Sequence, residues 1–425
     1  VTANGCSNPT TYNVVVAVKI CACNHSLSSS LTPPAICSNS SFNYIPTSST
    51  PGASFAWTRA VVAGISNAAG SGSGNPLEIL INTTVAPINV TYIYSVTATC
   101  TNPITFSVVV AVNPRPLLTS TLTPPDICSG TAFSYLPTSG TTGAAFPWTR
   151  AVRTGISNGA GSGTGNPNET LTNTTSAPIS VIYAYNVTAN GCSYSQDVVV
   201  AVNPKPVLSS TLTPPAVCSG IVFNYSPTSS TGGVTFSWTR AVVAGISNVA
   251  ASGTGNPAET LVNTTAAPKN VTYIYTLSAS GCVNATTYSV VVTVNQEPTL
   301  SSSLSPPAIC SGSTFYYTPT SATSGATFSW TRAAVVGISN PATFGSADPI
   351  ETLINTTTVA KTVTYVYTLS AFGCINSTPY NIVVVVNPTP LLGSSTLPPA
   401  ICSGTVFSYV PTSTTAGASF AWTRA

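Results

Sequence analysis

The sequence predicts an all-β chain of tandem immunoglobulin-like antiparallel β-sandwich repeats, each about ninety residues long, on three observations. Trp-Thr-Arg recurs at Trp57, Trp148, Trp238, Trp330 and Trp422, 90 to 92 residues apart, and self-similarity at a fixed period marks a repeat architecture. Apolar residues within a repeat alternate with period two rather than 3.6. Each repeat also holds a Cys, Trp, Cys order among about seven short segments bounded by turn residues, the pattern of a sandwich.

The repeat from Pro116 to Asn203 shows the elements in order. Leu117 to Leu122 is expected as a first strand, ended by Pro124-Pro125, and Cys128-Ser-Gly as a turn. Thr131 to Leu136 leads a second strand, and Phe146 to Val152 is a third that carries Trp148. Gly155 to Asn168 is too poor in apolar residues for more than loop and short edge strands, and Glu169 to Asn173 forms another short strand. The clearest strand follows, in which Val181, Tyr183, Tyr185, Val187 and Ala189 share one face. Asn190-Gly191 is a strong hairpin signal, and Ser195 to Val202 returns as the last strand. The short connections leave no room for a parallel crossover, so every pairing is expected to be antiparallel.

These elements divide the chain into a partial repeat at 1–19 with two last strands, an atypical Cys-containing linker at 20–25, repeats at 26–113, 117–203, 207–295 and 299–387, and a partial repeat at 391–425 with first strands. The linkers Val112-Asn-Pro-Arg-Pro116, Val202-Asn-Pro-Lys-Pro206, Val294-Asn-Gln-Glu-Pro298 and Val386-Asn-Pro-Thr-Pro390 are short and mostly proline-stiffened, which should hold neighbours in line. A chain without Met that opens and closes inside a repeat is expected to be a piece of a longer array.

Only 4% of the residues are charged and the net charge is +3, against roughly 25% charged in ordinary soluble domains. No basic stripe for nucleic acid exists. The longest aliphatic runs, such as Ile382 to Val386, fall well short of the ~18 residues of a membrane-spanning helix. Twelve cysteines, ten of them recurring at two positions per repeat, point to an oxidising, extracellular setting.

The first cysteine of a repeat is Cys37, Cys128, Cys218, Cys310 or Cys402, and the second, 63 or 64 residues later, is Cys100, Cys192, Cys282 or Cys374; Cys6 belongs to the second class. One turn should lie at the far end of its sandwich and the other at the near end, roughly 30 Å apart for strands of eight or nine residues, whereas a disulfide spans a Cα separation of about 7 Å at most. In a linear array the far end of one repeat meets the near end of the next. That favours staples Cys37 to Cys192, Cys128 to Cys282 and Cys218 to Cys374, with bridges inside one repeat and free or interchain thiols as the alternatives. Cys6, Cys21, Cys23, Cys100, Cys310 and Cys402 are left without a clear partner, although Cys21 or Cys23 could serve Cys100.

Each tryptophan follows the first cysteine by 20 residues and is read as a core residue on the third strand rather than an exposed sugar platform. Arg59, Arg150, Arg240 and Arg332 precede Glu78, Glu169, Glu259 and Glu351 by 19 residues each time. In so uncharged a chain they are expected to form structural ion pairs, within a repeat or across a junction. Glycoside hydrolysis needs two acids, and a repeat offers one recurring acid, so no catalytic residue is expected. Gly161-Ser-Gly-Thr-Gly lacks the Lys-Ser/Thr and helix of a phosphate loop. Cys21, Cys23 and His25 lack the fourth ligand of a zinc site, and three aspartates cannot build calcium cages. No metal and no cofactor are expected. The Asn-x-Thr sequons at Asn82, Asn173, Asn263 and Asn355 are glycan acceptors in a eukaryotic secretory protein and strand or turn residues otherwise.

The motifs Pro-Pro-x-x-Cys-Ser-Gly, Phe-x-Tyr-x-Pro-Thr-Ser, Trp-Thr-Arg and Tyr-x-Tyr followed by Gly-Cys run through the chain. In them the sequence resembles the PKD-like and Ig-like domains of large secreted or cell-surface proteins of Bacteroidetes-type bacteria. Thr-Arg-Ala stands where the usual PKD sequence has Phe-Gly-Asp-Gly, so no ligand is carried over. The resemblance implies a secreted or surface sandwich, often in an adhesin or fibre. The expected function is a non-enzymatic structural fibre or stalk that self-associates along or between fibres. The alternatives are an adhesin array that binds glycans or surfaces through loops such as 229–234 and 342–348, and a spacer of a larger secreted enzyme.

Overall fold

A computed structural model describes residues 1–16, 25–98 and 102–425, so Cys21, Cys23 and Cys100 lie outside the described residues. Every regular element among the described residues is a β-strand. The chain forms two compact units, Val1–Pro204 and Lys205–Ala425, each holding two complete repeats.

In the second repeat, β1 (Ile127–Cys128), β2 (Thr131–Phe133), β3 (Pro147–Arg150), β4 (Gly161–Thr164), β5 (Glu169–Leu171), β6 (Ile179–Ala189) and β7 (Cys192–Asn203) form two sheets. The larger has the order β1-β7-β6-β3-β4, and β2 pairs with β5 in the smaller. The other three repeats pair in the same way. Alternation along β6 sends Val181, Tyr183, Tyr185 and Val187 into the core between the sheets, where each is 1% exposed or less. There Tyr183 meets Phe133 at 4.9 Å and Trp148 edge-on at 5.3 Å between ring centroids. Such aromatic pairs add ~0.5–1.5 kcal/mol each beyond their area burial. Asn190 and Gly191 both have positive φ, 50° and 75°, as the tight turn between two directly paired strands requires.

Two expectations about pairing need correction. Leu117 to Leu122 is not a strand; it is held by separate bonds and no ladder, from the Leu118 N–H to Gln196 Oε1 at 2.6 Å, the Thr119 N–H to the Thr138 carbonyl at 2.8 Å and the Val199 N–H of β7 to the Leu122 carbonyl at 2.9 Å. The pairing is also not wholly antiparallel, because β1 runs parallel to β7 with Ile127 opposite Val202 and Cys128 opposite Asn203. The crossover that a parallel pair needs is supplied by the rest of the repeat, since β1 and β7 are its first and last strands.

The partial repeats are less ordered than expected. At one end only a hairpin forms, Thr2–Ala3 against Cys6–Ser7, and residues 8–16 add no strand. Residues 391–425 form no strand, only an isolated bridge between Leu392 and Ser413. Trp422 is accordingly 85% exposed, not a core residue.

Candidate functional site

The sequence-selected residues gather at two places, the interior of each repeat and the junction inside each unit. In the interior, the arginine at the end of the tryptophan strand points inward and is 2–3% exposed. Arg59 donates from Nε to Glu78 Oε2 at 2.8 Å and from Nη2 to Oε1 at 2.9 Å, a bidentate contact. Nη2 also reaches the Ala68 carbonyl at 2.6 Å. The same fork joins Arg150 to Glu169, Arg240 to Glu259 and Arg332 to Glu351, each at 2.8 Å and within one repeat.

A third member has no counterpart among the sequence-selected residues. The Tyr92 hydroxyl donates to Glu78 Oε2 at 2.7 Å, and Tyr183, Tyr273 and Tyr365 do the same for their glutamates. Its spacing of 14 residues from Glu recurs in all four repeats, a signal as regular as the Arg–Glu spacing but hidden in an ordinary strand pattern. The bonds from Arg59 and Tyr92 hold the Glu78 carboxyl below its ordinary value of 4.5 against the opposing effect of burial. At Glu351 burial is the largest influence, yet the bonds from Arg332 and Tyr365 together still leave the carboxyl lowered. Burial first, and then the adjacent carboxylate, raise the tyrosine hydroxyls well above their usual range. A carboxylate held ionised by two donors is a poor proton donor, so this cluster is built for cohesion rather than acid catalysis.

Trp57, Trp148, Trp238 and Trp330 are 6–7% exposed. Each indole lies on a glycine of the neighbouring edge strand; a Cβ on Gly163 would sit 2.9 Å from Trp148 Cζ2. Asn173 is 6% exposed. Its Nδ2 donates to the Ala177 and Val202 carbonyls, and its Oδ1 accepts from the Thr175 N–H and hydroxyl, all at 2.8 Å. Asn82, Asn263 and Asn355 donate to the equivalent pair of carbonyls. The amide nitrogens of these four sequons are thus committed to holding a turn against the last strand.

At the junction inside the first unit, β1's counterpart, Ile36–Cys37, lies beside the exit of its repeat, with Cys37 opposite Asn113. The Asn190-Gly191 hairpin of the next repeat meets it there. Cys37 and Cys192 form a disulfide with Cα atoms 5.7 Å apart. Asn113 Nδ2 donates to the Asn190 carbonyl at 2.8 Å, and the Arg115 guanidinium sits 3.3 Å from the centre of the Tyr194 ring, a cation–π contact. The second unit has the same construction. Cys218 and Cys374 are bonded with the same Cα separation, Asn295 Nδ2 donates to the Phe372 carbonyl at 2.9 Å, and the Glu297 carboxylate accepts from the Ser377 N–H. Cys128 and Cys282 each take part in a disulfide. Cys6, Cys310 and Cys402 are exposed free thiols.

Among the described residues no cluster of His, Cys, Asp and Glu could hold a metal ion. His25, the described member of the considered zinc set, is 5% exposed. No helix among the described residues is long and apolar enough to cross a membrane.

No curated protein matches the chain. Solved structures of tandem domains are similar at low identity. The insect immune protein hemolin is 11% identical, over 84% of this chain and 98% of its own, with a TM-score of 0.22. Drosophila N-cadherin EC1-4 is 8% identical, over 84% and 99%, with a TM-score of 0.25. Titin domains I67-I69 are 12% identical, over 64% and 98%, with a TM-score of 0.33. The profile of the PKD-like domain matches residues 34–116, 125–206, 215–298 and 307–390. Most of the sequence is therefore covered by four copies of one domain, and the chain belongs to the PKD-like domain family.

Proposed function

We propose that the chain is a section of an extracellular structural fibre or stalk, with repeats at 26–113, 117–203, 207–295 and 299–387 joined end to end by disulfides and short linkers. The observation that supports this most is that Cys37–Cys192 and Cys218–Cys374 connect consecutive repeats rather than the two halves of one repeat. A disulfide placed between domains joins no two strands of a single core and removes hinge freedom between neighbours. Such bonds persist in oxidising compartments, which favours a secreted or surface location. A surface of Ser, Thr and Asn with 4% charge offers little repulsion between parallel rods, which favours self-association. Negative-stain electron microscopy of the purified chain should show thin beaded rods. Compact globules would refute the fibre reading.

A second reading, an adhesive array, draws on one residue. Phe344 is 82% exposed on the edge strand of the fourth repeat, where the other repeats carry Ser71, Ser162 and Ser252. An exposed aromatic of this kind suits a sugar or an apolar surface. Binding to a glycan panel that is lost in Phe344→Ser would favour adhesion over a purely structural role.

A further inference from the structure

Tension applied along a chain follows the shortest covalent route. In the first unit that route forks at Cys37. One branch is the backbone through the remainder of repeat 1 and nearly all of repeat 2; the other is the disulfide to Cys192, which lies 155 residues further along the sequence and 5.7 Å away between Cα atoms. The short branch becomes taut and the long one remains slack. Beyond Cys192 the load leaves through β7, whose 12 residues already form one extended strand. At ~3.3 Å per residue a strand is close to the ~3.6 Å limit of a stretched chain, so β7 has almost nothing left to give. The entry segment, residues 26–36, is tied down by Ser28 N–H to the Thr47 carbonyl and Val109 N–H to the Leu31 carbonyl, both at 2.8 Å.

We propose that the disulfides make each pair of repeats an inextensible tether, in which tension passes through the first segment of one repeat, the disulfide and the last strand of the next, while the other strands of both repeats stay unloaded. The second unit repeats the device. Cys218 and Cys374 are 156 residues apart, and the load leaves through residues 375–387, most of which are the strand Tyr380–Asn387. All four Arg–Glu–Tyr clusters lie on the slack branches, at 59–92, 150–183, 240–273 and 332–365. A bridge inside one sandwich would shelter part of one repeat; a bridge from the first turn of one repeat to the last hairpin of the next shelters most of two. This concerns the covalent path of the chain and stands whether the array serves as a fibre or as an adhesin.

Single-molecule pulling of the complete chain by its ends tests it. Oxidised chains should show no long unfolding step at forces that unfold reduced repeats. Adding reductant to the same tethered molecule should release roughly 500 Å of hidden contour for each pair of repeats. Because reduction acts on every disulfide at once, the double substitution Cys37→Ser/Cys192→Ser supplies the specific arm. With its folded state verified by its melting transition, the oxidised variant should gain a step of at least one repeat, roughly 300 Å, while Cys218–Cys374 keeps its own pair short. Oxidised parent molecules that lengthen as far as reduced ones, or a variant that lengthens no further than the parent, would overturn the proposal.

Discussion

Glu169 holds one of the few charges in the protein, and its environment sets what its removal costs. Arg150 is 3% exposed, and its Nη1 has no partner among the described residues, so the carboxylate is its principal counter-charge. Glu169→Gln should destabilise the second repeat by about 3–5 kcal/mol, the cost of leaving a buried charge uncompensated; chemical denaturation of the variant measures it. A loss under 1 kcal/mol would place the pair with ordinary surface ion pairs. The carboxyls of Glu78, Glu169, Glu259 and Glu351 are all lowered in the folded state. A lowered folded value means stability that is present above the unfolded value, near 4.5, and lost as pH falls through the folded one. The melting temperature should therefore hold steady from neutral pH down to about 5 and decline below 4.5, which a calorimetric pH series would show. The 19-residue spacing of Arg and Glu is legible in the sequence. That the two meet inside one repeat, and that a tyrosine joins them, depends on the pairing of the tryptophan strand with the tyrosine strand, a contact between residues far apart in the chain.

At the level of the strand, the edge strand Ala251–Thr254 runs beside the tryptophan strand Thr235–Arg240 with Gly253 opposite Trp238. A Cβ there would lie 2.8 Å from Trp238 Cζ2, and the indole is wedged against Tyr273 at 5.4 Å. Gly253→Ala should cost about 1–3 kcal/mol through overpacking, read as a lower denaturation midpoint; an unchanged midpoint would mean that the indole has room to move. The fourth repeat carries an opposite case. Ala347 has φ of 55° where its counterparts are Gly74, Gly165 and Gly255, and its carbonyl still accepts from the Tyr367 hydroxyl at 3.1 Å. Ala347→Gly relieves a left-handed strain of ~1–2 kcal/mol at a backbone entropy cost of ~0.5–1 kcal/mol, so the fourth repeat should gain about 1 kcal/mol in thermal or chemical denaturation. The long strands were readable from period-two alternation, since Val181 to Ala189 has one buried side. The short elements were not: Leu117 to Leu122 has the composition of a strand, yet its bonds go to three separate partners, Gln196 Oε1, the Thr138 carbonyl and the Val199 N–H, and form no ladder.

Across the whole molecule, the disulfides decide how far one repeat depends on the next. Reduction under native conditions should lower the unfolding free energy of the stapled repeats by about 2–4 kcal/mol, as expected for closing long loops, and calorimetry with and without reductant reads the change. An unchanged melting temperature would show that the junction bonds contribute nothing to folding. The sequence by itself determined the period, the β class and the positions of Cys, Trp, Arg and Glu, because these follow from local alternation and from recurrence at fixed spacing. It left open junction staples, bridges inside a repeat and free thiols. Only the tertiary structure decided these matters, because each depends on which ends of the sheets meet. Cys37 faces Cys192 since β1's counterpart runs parallel to the last strand and so carries Cys37 to the exit of its repeat, where the next hairpin begins.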